Sequence, residues 1–353
     1  MRRLAAVGAG AVGATVLVSN DTSSGPSRFI RTMGHAVLAA REYKYGAYMA
    51  LPAGSEERHA ALAGVHQRSA ERLLEVCLAH GGMYTKLGQF VASMRHALPP
   101  QYPEVLAACQ DKAPAVGLDA VRGVVERELG RALGEVFSEF EPEPIGAASL
   151  AQVHRAVSAA TGERVAVKVQ YPALAAQVEA DLRTMRVLAW VVGAAFEGHD
   201  YEWLLPEFEG SITAELDFRV EAQNAARTAA NFADEPKVGL PHPEPQTPGL
   251  DGRALDPQVY VPRTHASLST RRLLTMEYID GAKLSEPGAL AARGLDAAAL
   301  APLVSSTFSR MIFEFGFVHC DPHPGNLLAR RAPAGGGAGS GAAAGTPQLV
   351  GAR

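Results

Sequence analysis

The sequence predicts an α+β protein of two lobes, a sheet-rich lobe followed by an incomplete helical one, with a helical extension in front of both. Three observations predict this. Val165-Ala166-Val167-Lys168 has the β-branched content of a buried strand and follows a turn at Thr161-Gly162. Phe208, Ile212, Leu216 and Val220 recur every four residues, as on one face of a helix over 207–232. Leu87, Phe90, Val91 and Met94 fall at i, i+3, i+4 and i+7, a second apolar helix face far upstream.

In chain order, residues 1–30 read as a targeting segment or tail. Met1-Arg2-Arg3 leads an Ala/Gly-rich apolar run, Leu4 to Val18, with no acid before Asp21. That run is shorter than the roughly 20 residues that span a bilayer. Residues 31–135 form the helical extension, with Lys86, Gln89 and Ser93 on a polar flank beside the Leu87 face. Residues 136–280 form the sheet lobe. Within it, Val187 to Phe196 is apolar but short and reads as buried helix, and the Pro-rich stretch from Pro236 to Pro262 predicts a loop. Leu273 to Tyr278 reads as a strand entering a hinge, where the backbone of Glu277 and Tyr278 could bond an adenine ring. Residues 281–353 begin the helical lobe. Leu327-Leu328 starts a strand, Gln348-Leu349-Val350 starts its return, and the Ala/Gly/Ser run 333–345 between them predicts a flexible tip.

Composition narrows the function. A formal charge of −4 over 353 residues argues against a broad basic surface for nucleic acid. Three widely spaced cysteines, Cys77, Cys109 and Cys320, form no C-x-x-C pair, so a disulfide framework or zinc site is not expected and a reducing compartment fits.

The chemistry is concentrated after the helix that ends near Phe317. His319, Asp321 and Asn326 stand at H-x-D-x-x-x-x-N spacing, that of a phosphotransferase loop. In such a loop Asp321 accepts the proton of an attacking hydroxyl or orients a water, and Asn326 gives a neutral oxygen to Mg²⁺ on the nucleotide phosphates. Upstream, Lys168 ends a V-A-I-K-like strand whose ammonium pairs with the α and β phosphates. Gly146, Ala148, Ala151 and Val153 fall on the register of a G-x-G-x-x-G-x-V phosphate loop, so Gly146-Ala147-Ala148-Ser149 is the phosphate-loop candidate. Alanine where glycine is usual predicts altered nucleotide handling, because a β-carbon narrows the backbone conformations open to the amides. Lys168 needs a carboxylate on a neighbouring helix: Glu221 is the choice and Glu215 the rival, although Glu215 could instead pair with Arg219. These parts, in this order, predict a protein-kinase-like two-lobe fold that uses ATP and Mg²⁺.

The chain also resembles the UbiB-type, or aarF-domain-containing, atypical kinase family over roughly residues 30 to 330. The resemblance rests on Lys86-Leu87-Gly88-Gln89 (the K-x-G-Q motif), Leu98-Pro99-Pro100, the alanine loop through Gln152-Val153-His154, and Lys168-Val169-Gln170-Tyr171-Pro172. Glu215-Leu216-Asp217-Phe218 (the E-x-D motif) and the loop from His319 to Asn326 complete it. It implies that the K-x-G-Q helices cover the nucleotide cleft, that Lys86 and Gln89 face it, and that Glu215 and Asp217 anchor them. It further implies ATP hydrolysis or phosphorylation of a lipid-linked partner in prenylquinone or organelle lipid metabolism, with contact to lipid or membrane. Residues 42–110 resemble the mitochondrial branch, with the chloroplast as the alternative location.

One departure stands out. Kinases follow the returning strand with Asp-x-Gly, whose Asp holds the metal, whereas here the sequence reaches Arg353 with no Asp after Asp321. A chain truncated from a longer reading frame is the expectation, with its helices around Leu300 to Phe317 left exposed; a nucleotide-binding scaffold without catalysis is the alternative. A small-molecule kinase of the aminoglycoside or choline type has a similar catalytic loop, and the K-x-G-Q extension argues against it.

Overall fold

A computed structural model of the chain describes residues 24–110, 115–196, 204–233, 259–319, 323–332 and 347–351. It mixes helices and sheets in two compact units that interleave along the chain. The first unit comprises Met1–Val121, Gly146–Gln152 and Gln170–Thr213; the second comprises Arg122–Ile145, Val153–Val169 and Ala214–Arg353. The helices are α1 (Gly25–Tyr45), α2 (Glu56–His80), α3 (Gly82–Ser93), α4 (Gln101–Leu106), α5 (Leu118–Leu129), α6 (Leu133–Val136), α7 (Leu174–Ala195), α8 (Leu204–Glu215), α9 (Phe218–Ala233), α10 (Pro287–Ala292) and α11 (Ala297–Phe313). The strands are β1 (Phe137–Phe140), β2 (Gly146–Ala147), β3 (Ala151–Ser158), β4 (Arg164–Gln170), β5 (Val259–Tyr260), β6 (Leu273–Glu277), β7 (Ala282–Lys283), β8 (Leu327–Arg331) and β9 (Pro347–Gly351). Among the described residues no helix is long and apolar enough to cross a membrane.

In the first unit, α1 packs on α2 and α7, and α3 on α2, α4 and α7. Helix α1 begins within the stretch assigned above to a tail, because Ser24 accepts the Ser27 N–H as an N-cap and Pro26 fits the first turn. Helix α2 is capped by Ser55, which accepts the Arg58 N–H at 3.1 Å, and carries Glu56 and Glu57 at its positive end. Gly81 and Gly82, at φ 64° and 49°, turn the chain from α2 into α3 in the left-handed region that glycine tolerates. The buried stripe of α3 corrects the expected apolar face: Met83, Tyr84, Gly88 and Ala92 are buried, while Leu87, Phe90, Val91 and Met94 are half-buried. Gly88 lets α3 approach Cys109 and Cys77 closely, and Met83 and Tyr84 bury large side chains beside it, a face that the i, i+3, i+4, i+7 pattern of Leu87 does not register. Helix α7 buries Leu174, Val178, Met185 and Ala189 but exposes Val187 and Trp190, so its apolar C-terminal half is not the fully buried segment expected.

A polar network lies inside this apolar packing. Arg28 Nε donates to Asp181 Oδ1 at 2.9 Å and Arg28 Nη2 to Oδ2 at 2.5 Å, joining α1 to α7. Arg28 Nη1 also donates to the His80 carbonyl at 2.8 Å. Thr32 Oγ1 lies 3.2 Å from His80 Nε2 and 2.9 Å from the Tyr84 hydroxyl, which extends the network to α2 and α3. Burial, reinforced by the charges of Arg28 and Arg31, holds His80 down at a pKa of about 4, so its ring stays neutral.

In the second unit the main sheet runs β1-β3-β4-β6. Strands β3 and β4 form the expected hairpin, with Gly162 at φ 67° in its turn and Ser158 N–H donating to the Glu163 carbonyl at 2.9 Å. Strand β4 pairs antiparallel with β6, Lys168 opposite Leu274, and α9 packs against β6. A second sheet runs β5-β9-β8-β7. Within it β8 and β9 pair antiparallel, the strand and return read from the sequence, while β5 lies parallel to β9. Val259-Tyr260 therefore leaves the predicted Pro236–Pro262 loop to become strand; residues 236–258 of that prediction lie outside the described residues. Leu290, Leu295, Leu300 and Leu303 pack with Leu327, Ala329 and Leu349 into one core. The exposure expected of the Leu300–Phe317 region is thus confined to its end, where Ile312 and Phe313 are exposed.

The single helix expected over 207–232 is two helices. They part at Leu216-Asp217, where Asp217 Oδ1 accepts the Arg219 N–H at 3.0 Å and N-caps α9.

Candidate functional site

Strand alternation positions Lys168. Val165, Val167 and Val169 are buried on one face of β4, which turns Lys168 to the other. Its Nζ donates to Glu221 Oε1 at 2.7 Å and Oε2 at 2.6 Å. The ammonium also sits 4.7 Å from the centre of the buried Phe218 ring, a cation–π contact the sequence reading missed. Glu221 lies in the first turn of α9, where the helix dipole favours a carboxylate. The side chains remain partly open to water, 12% for Lys168 and 24% for Glu221. The structure therefore brings Lys168 and Glu221 together from positions 53 residues apart.

The E-x-D residues sit beside this pair in sequence. Glu215 ends α8 and is exposed. Asp217 takes a bidentate pair from Arg219, Nε at 2.9 Å and Nη2 at 2.6 Å, and that hydrogen bonding brings its carboxyl down to about 2.

The segment entering the phosphotransfer loop is tied to α9 as well. The Arg227 guanidinium stacks 4.0 Å from the Phe317 ring centre, and Phe232 meets Phe315 edge-on at 5.1 Å. No local pattern flags these residues, because each pairs across more than 80 positions of sequence. Of the loop itself, Asp321 lies outside the described residues with Cys320 and Pro322. Beyond it, Pro324–Asn326 forms a 3₁₀ turn in which Gly325 N–H donates to His323 Nδ1 at 3.1 Å and Asn326 N–H to the His323 carbonyl at 2.8 Å. A β-carbon at Gly325 would lie 3.1 Å from His323 Nδ1, so glycine suits this turn. Asn326 is half-buried immediately before β8.

At the expected hinge, Glu277 N–H donates to the Arg263 carbonyl at 2.8 Å and Tyr278 N–H to the Arg164 carbonyl at 3.1 Å. Both amides thus bond within the protein. Their side chains are engaged too: Glu277 Oε2 accepts from the Tyr260 hydroxyl at 2.5 Å, and the Tyr278 hydroxyl accepts from Arg155 at 2.9 Å.

In the first unit, the alanine loop closes on itself: Ala148 N–H donates to the Ala151 carbonyl at 2.8 Å and the Ala148 carbonyl accepts from the Tyr171 hydroxyl at 3.0 Å. Ser149 is buried, and no described non-glycine residue has positive φ, so Ala147 and Ala148 need no glycine-only conformation. The Ala148 amide is therefore spent on the turn. Gln152 clamps the Val116 backbone, accepting its N–H at 2.8 Å and donating to its carbonyl at 3.0 Å. Val153 is half-buried in β3, in the second unit, its carbonyl accepting the Ile145 N–H at 2.8 Å. Lys86 and Gln89 are half-buried on α3, and Gln89 Nε2 donates to the Cys109 carbonyl at 2.9 Å.

Residues 108–337 match the ABC1 atypical kinase-like domain. The chain is 36% identical over 335 residues to a putative ABC1 protein from Arabidopsis thaliana, covering 92% of this chain and 59% of that protein. It is 37% identical over 312 residues to AarF domain-containing protein kinase 1 of Xenopus tropicalis (87% and 55%). Against a probable serine/threonine-protein kinase, abkD, of Dictyostelium discoideum it is 36% identical over 306 residues (87% and 41%). The chain thus spans roughly half the length of these relatives. Among solved structures, a chain of the Rv3197–erythromycin complex from Mycobacterium tuberculosis superposes with a TM-score of 0.50 at 26% identity, over 83% of this chain and 66% of that one.

Proposed function

Because the chain belongs to the ABC1, or AarF-domain, atypical kinase family, we propose that it binds ATP with Mg²⁺ and serves as an atypical kinase or ATPase. The Lys168–Glu221 pair carries this reading: a lysine held extended by a helix carboxylate, yet open enough to water to share its charge with phosphate. In this reading Lys168 contacts the α and β phosphates, Glu221 orients it, and Asp321 orients the attacking hydroxyl or water. Asn326 fits the metal because Mg²⁺ takes only one or two protein oxygens beside phosphate and water. Bound ATP would supply the phosphoryl group, with the metal neutralising charge on its oxygens. For the acceptor we propose a lipid-linked partner of organelle lipid or prenylquinone metabolism, in the mitochondrion. The serine/threonine-kinase name of the Dictyostelium relative supports a protein hydroxyl as the second reading.

Thermal unfolding with and without nucleotide tests the site. ATP or ADP at about one hundred times its dissociation constant should stabilise the chain by about 2.7 kcal/mol. Lys168→Ala should erase that shift; a shift of unchanged size in this variant would overturn the assignment of Lys168 to the phosphates.

A further inference from the structure

Gly88 of the K-x-G-Q motif is wedged against two thiols. A β-carbon built there would lie 2.4 Å from Cys109 Sγ and 3.3 Å from Cys77 Sγ. Cys77 stands in the last turn of α2 and Cys109 in the 3₁₀ turn Ala107–Gln110, and both are buried and free. The two sulfurs thus face the same β-position, and their interaction pushes the Cys77 thiol above its ordinary range and brings the Cys109 thiol below it. Packing alone would be served by any small apolar residue; two buried thiols that both face the β-position of one glycine are instead placed close enough to each other to be joined.

We propose that Cys77 and Cys109 are a modification site that forms a reversible disulfide with oxidants of the peroxide class. Cys109 thiolate attacks one peroxide oxygen, the O–O bond breaks, and a sulfenic acid forms as hydroxide leaves and is protonated to water. The Cys77 sulfur then displaces the sulfenic hydroxyl, which leaves as a second water once the Cys77 proton is transferred. Two thiols lose two electrons in all, and the peroxide gains them. Entry of the oxidant requires local opening, and the short 3₁₀ turn that carries Cys109 is the element suited to it. Gln89, which donates to the Cys109 carbonyl at 2.9 Å, restrains that turn. The disulfide would staple α2 to the turn beneath α3 and fix the helix that carries Lys86 and Gln89. This inference does not depend on nucleotide binding.

The test is peptide mapping of the full chain, reduced, exposed to hydrogen peroxide, then blocked with N-ethylmaleimide. The expected product joins tryptic peptides 73–86 and 96–112, is two hydrogens lighter than their sum, and reverts with a thiol reductant. Gln89→Ala should speed its formation several-fold, and in Cys77→Ser a sulfenic acid trap should label Cys109. Recovery of both cysteines as maleimide adducts while Cys320 is oxidised would overturn the proposal. Sulfinic acid at Cys109 without the joined peptide, or a join to Cys320, would overturn it too. Because the wild-type map decides the matter, poor folding of either variant leaves it falsifiable.

Discussion

Arg28–Asp181 in the first unit and Lys168–Glu221 in the second are both cation–carboxylate pairs with two short hydrogen bonds, but their surroundings differ. The first is sealed, with side-chain exposures of 3% and 2%; the second is ajar, at 12% and 24%. Burial pushes the Asp181 carboxyl above its ordinary range even with Arg28 beside it, so desolvation outweighs the partner's charge. Arginine suits the sealed site because its guanidinium fork satisfies a carboxylate and a carbonyl together, whereas a lysine ammonium is a hydrated point charge able to change partners. A closed pair specifies architecture, and an open pair keeps its cation in contact with water.

The comparison breaks most readily at the sealed pair. Asp181→Ala should destabilise the chain by about 3–5 kcal/mol, since it leaves a buried guanidinium uncompensated. Urea unfolding measures this, and Arg28→Met combined with Asp181→Leu should recover most of the loss; if the single variant costs under about 1 kcal/mol, the pair is not buried in solution as described. The network also carries a pH signature. His80 has a folded pKa of about 4, below its ordinary 6.5, so the unfolded chain binds more protons between those values. Its contribution is full above pH 6.5 and lost as pH falls toward 4, and His80→Gln should flatten that part of the stability profile.

Next comes Gly88→Ala, which forces a methyl against Cys109 Sγ and should cost about 1–3 kcal/mol by overpacking. An unfolding midpoint equal to wild type would show that the thiols give way freely. Asp217→Ala should cost about 1 kcal/mol through the lost N-cap of α9. The folded pKa of Asp217 lies at about 2 against an ordinary 3.8, so the wild-type advantage should be complete above pH 4 and fade as pH falls toward 2. Acid titration of both proteins would show a constant gap instead if the cap does not depend on charge. The smallest stability change belongs to the open pair: Lys168→Ala should shift unfolding by less than about 1 kcal/mol while removing the nucleotide response. A large loss of stability without nucleotide would erase the distinction between the pairs.

The sequence made one part of the molecule legible and left another hidden, for physical reasons. The hairpin at Gly162, strand β4 and the β8–β9 return are encoded by neighbouring residues, so periodicity and turn chemistry reach them. Glu221 was found because a helix and a strand each have one repeating face. The Tyr84–Gly88–Ala92 stripe was missed because Gly88 buries by close approach, which hydrophobic counting ignores, and because the Tyr84 hydroxyl finds its partner in the distant Thr32. The break at Asp217 escaped because an N-cap interrupts a helix without disturbing the i+4 apolar spacing across it. The hinge amide bonds, the parallel β5–β9 pairing and the Arg28–Asp181 bond all depend on partners distant in sequence, and no window of sequence contains both ends.

That distance acts in time as well as in space. Asp181 follows Arg28 by 153 residues, and at ribosomal rates of about 5–20 residues per second that separation amounts to roughly 8 to 30 s of synthesis. Throughout that interval α1 has been made but α7 has not, so a guanidinium destined for the interior and the apolar surface around it wait without their partner. The nascent N-terminal helices should therefore be the segment most dependent on chaperones, and a slow-translating stretch placed before residue 181 should lower the yield of folded protein more than one placed after it.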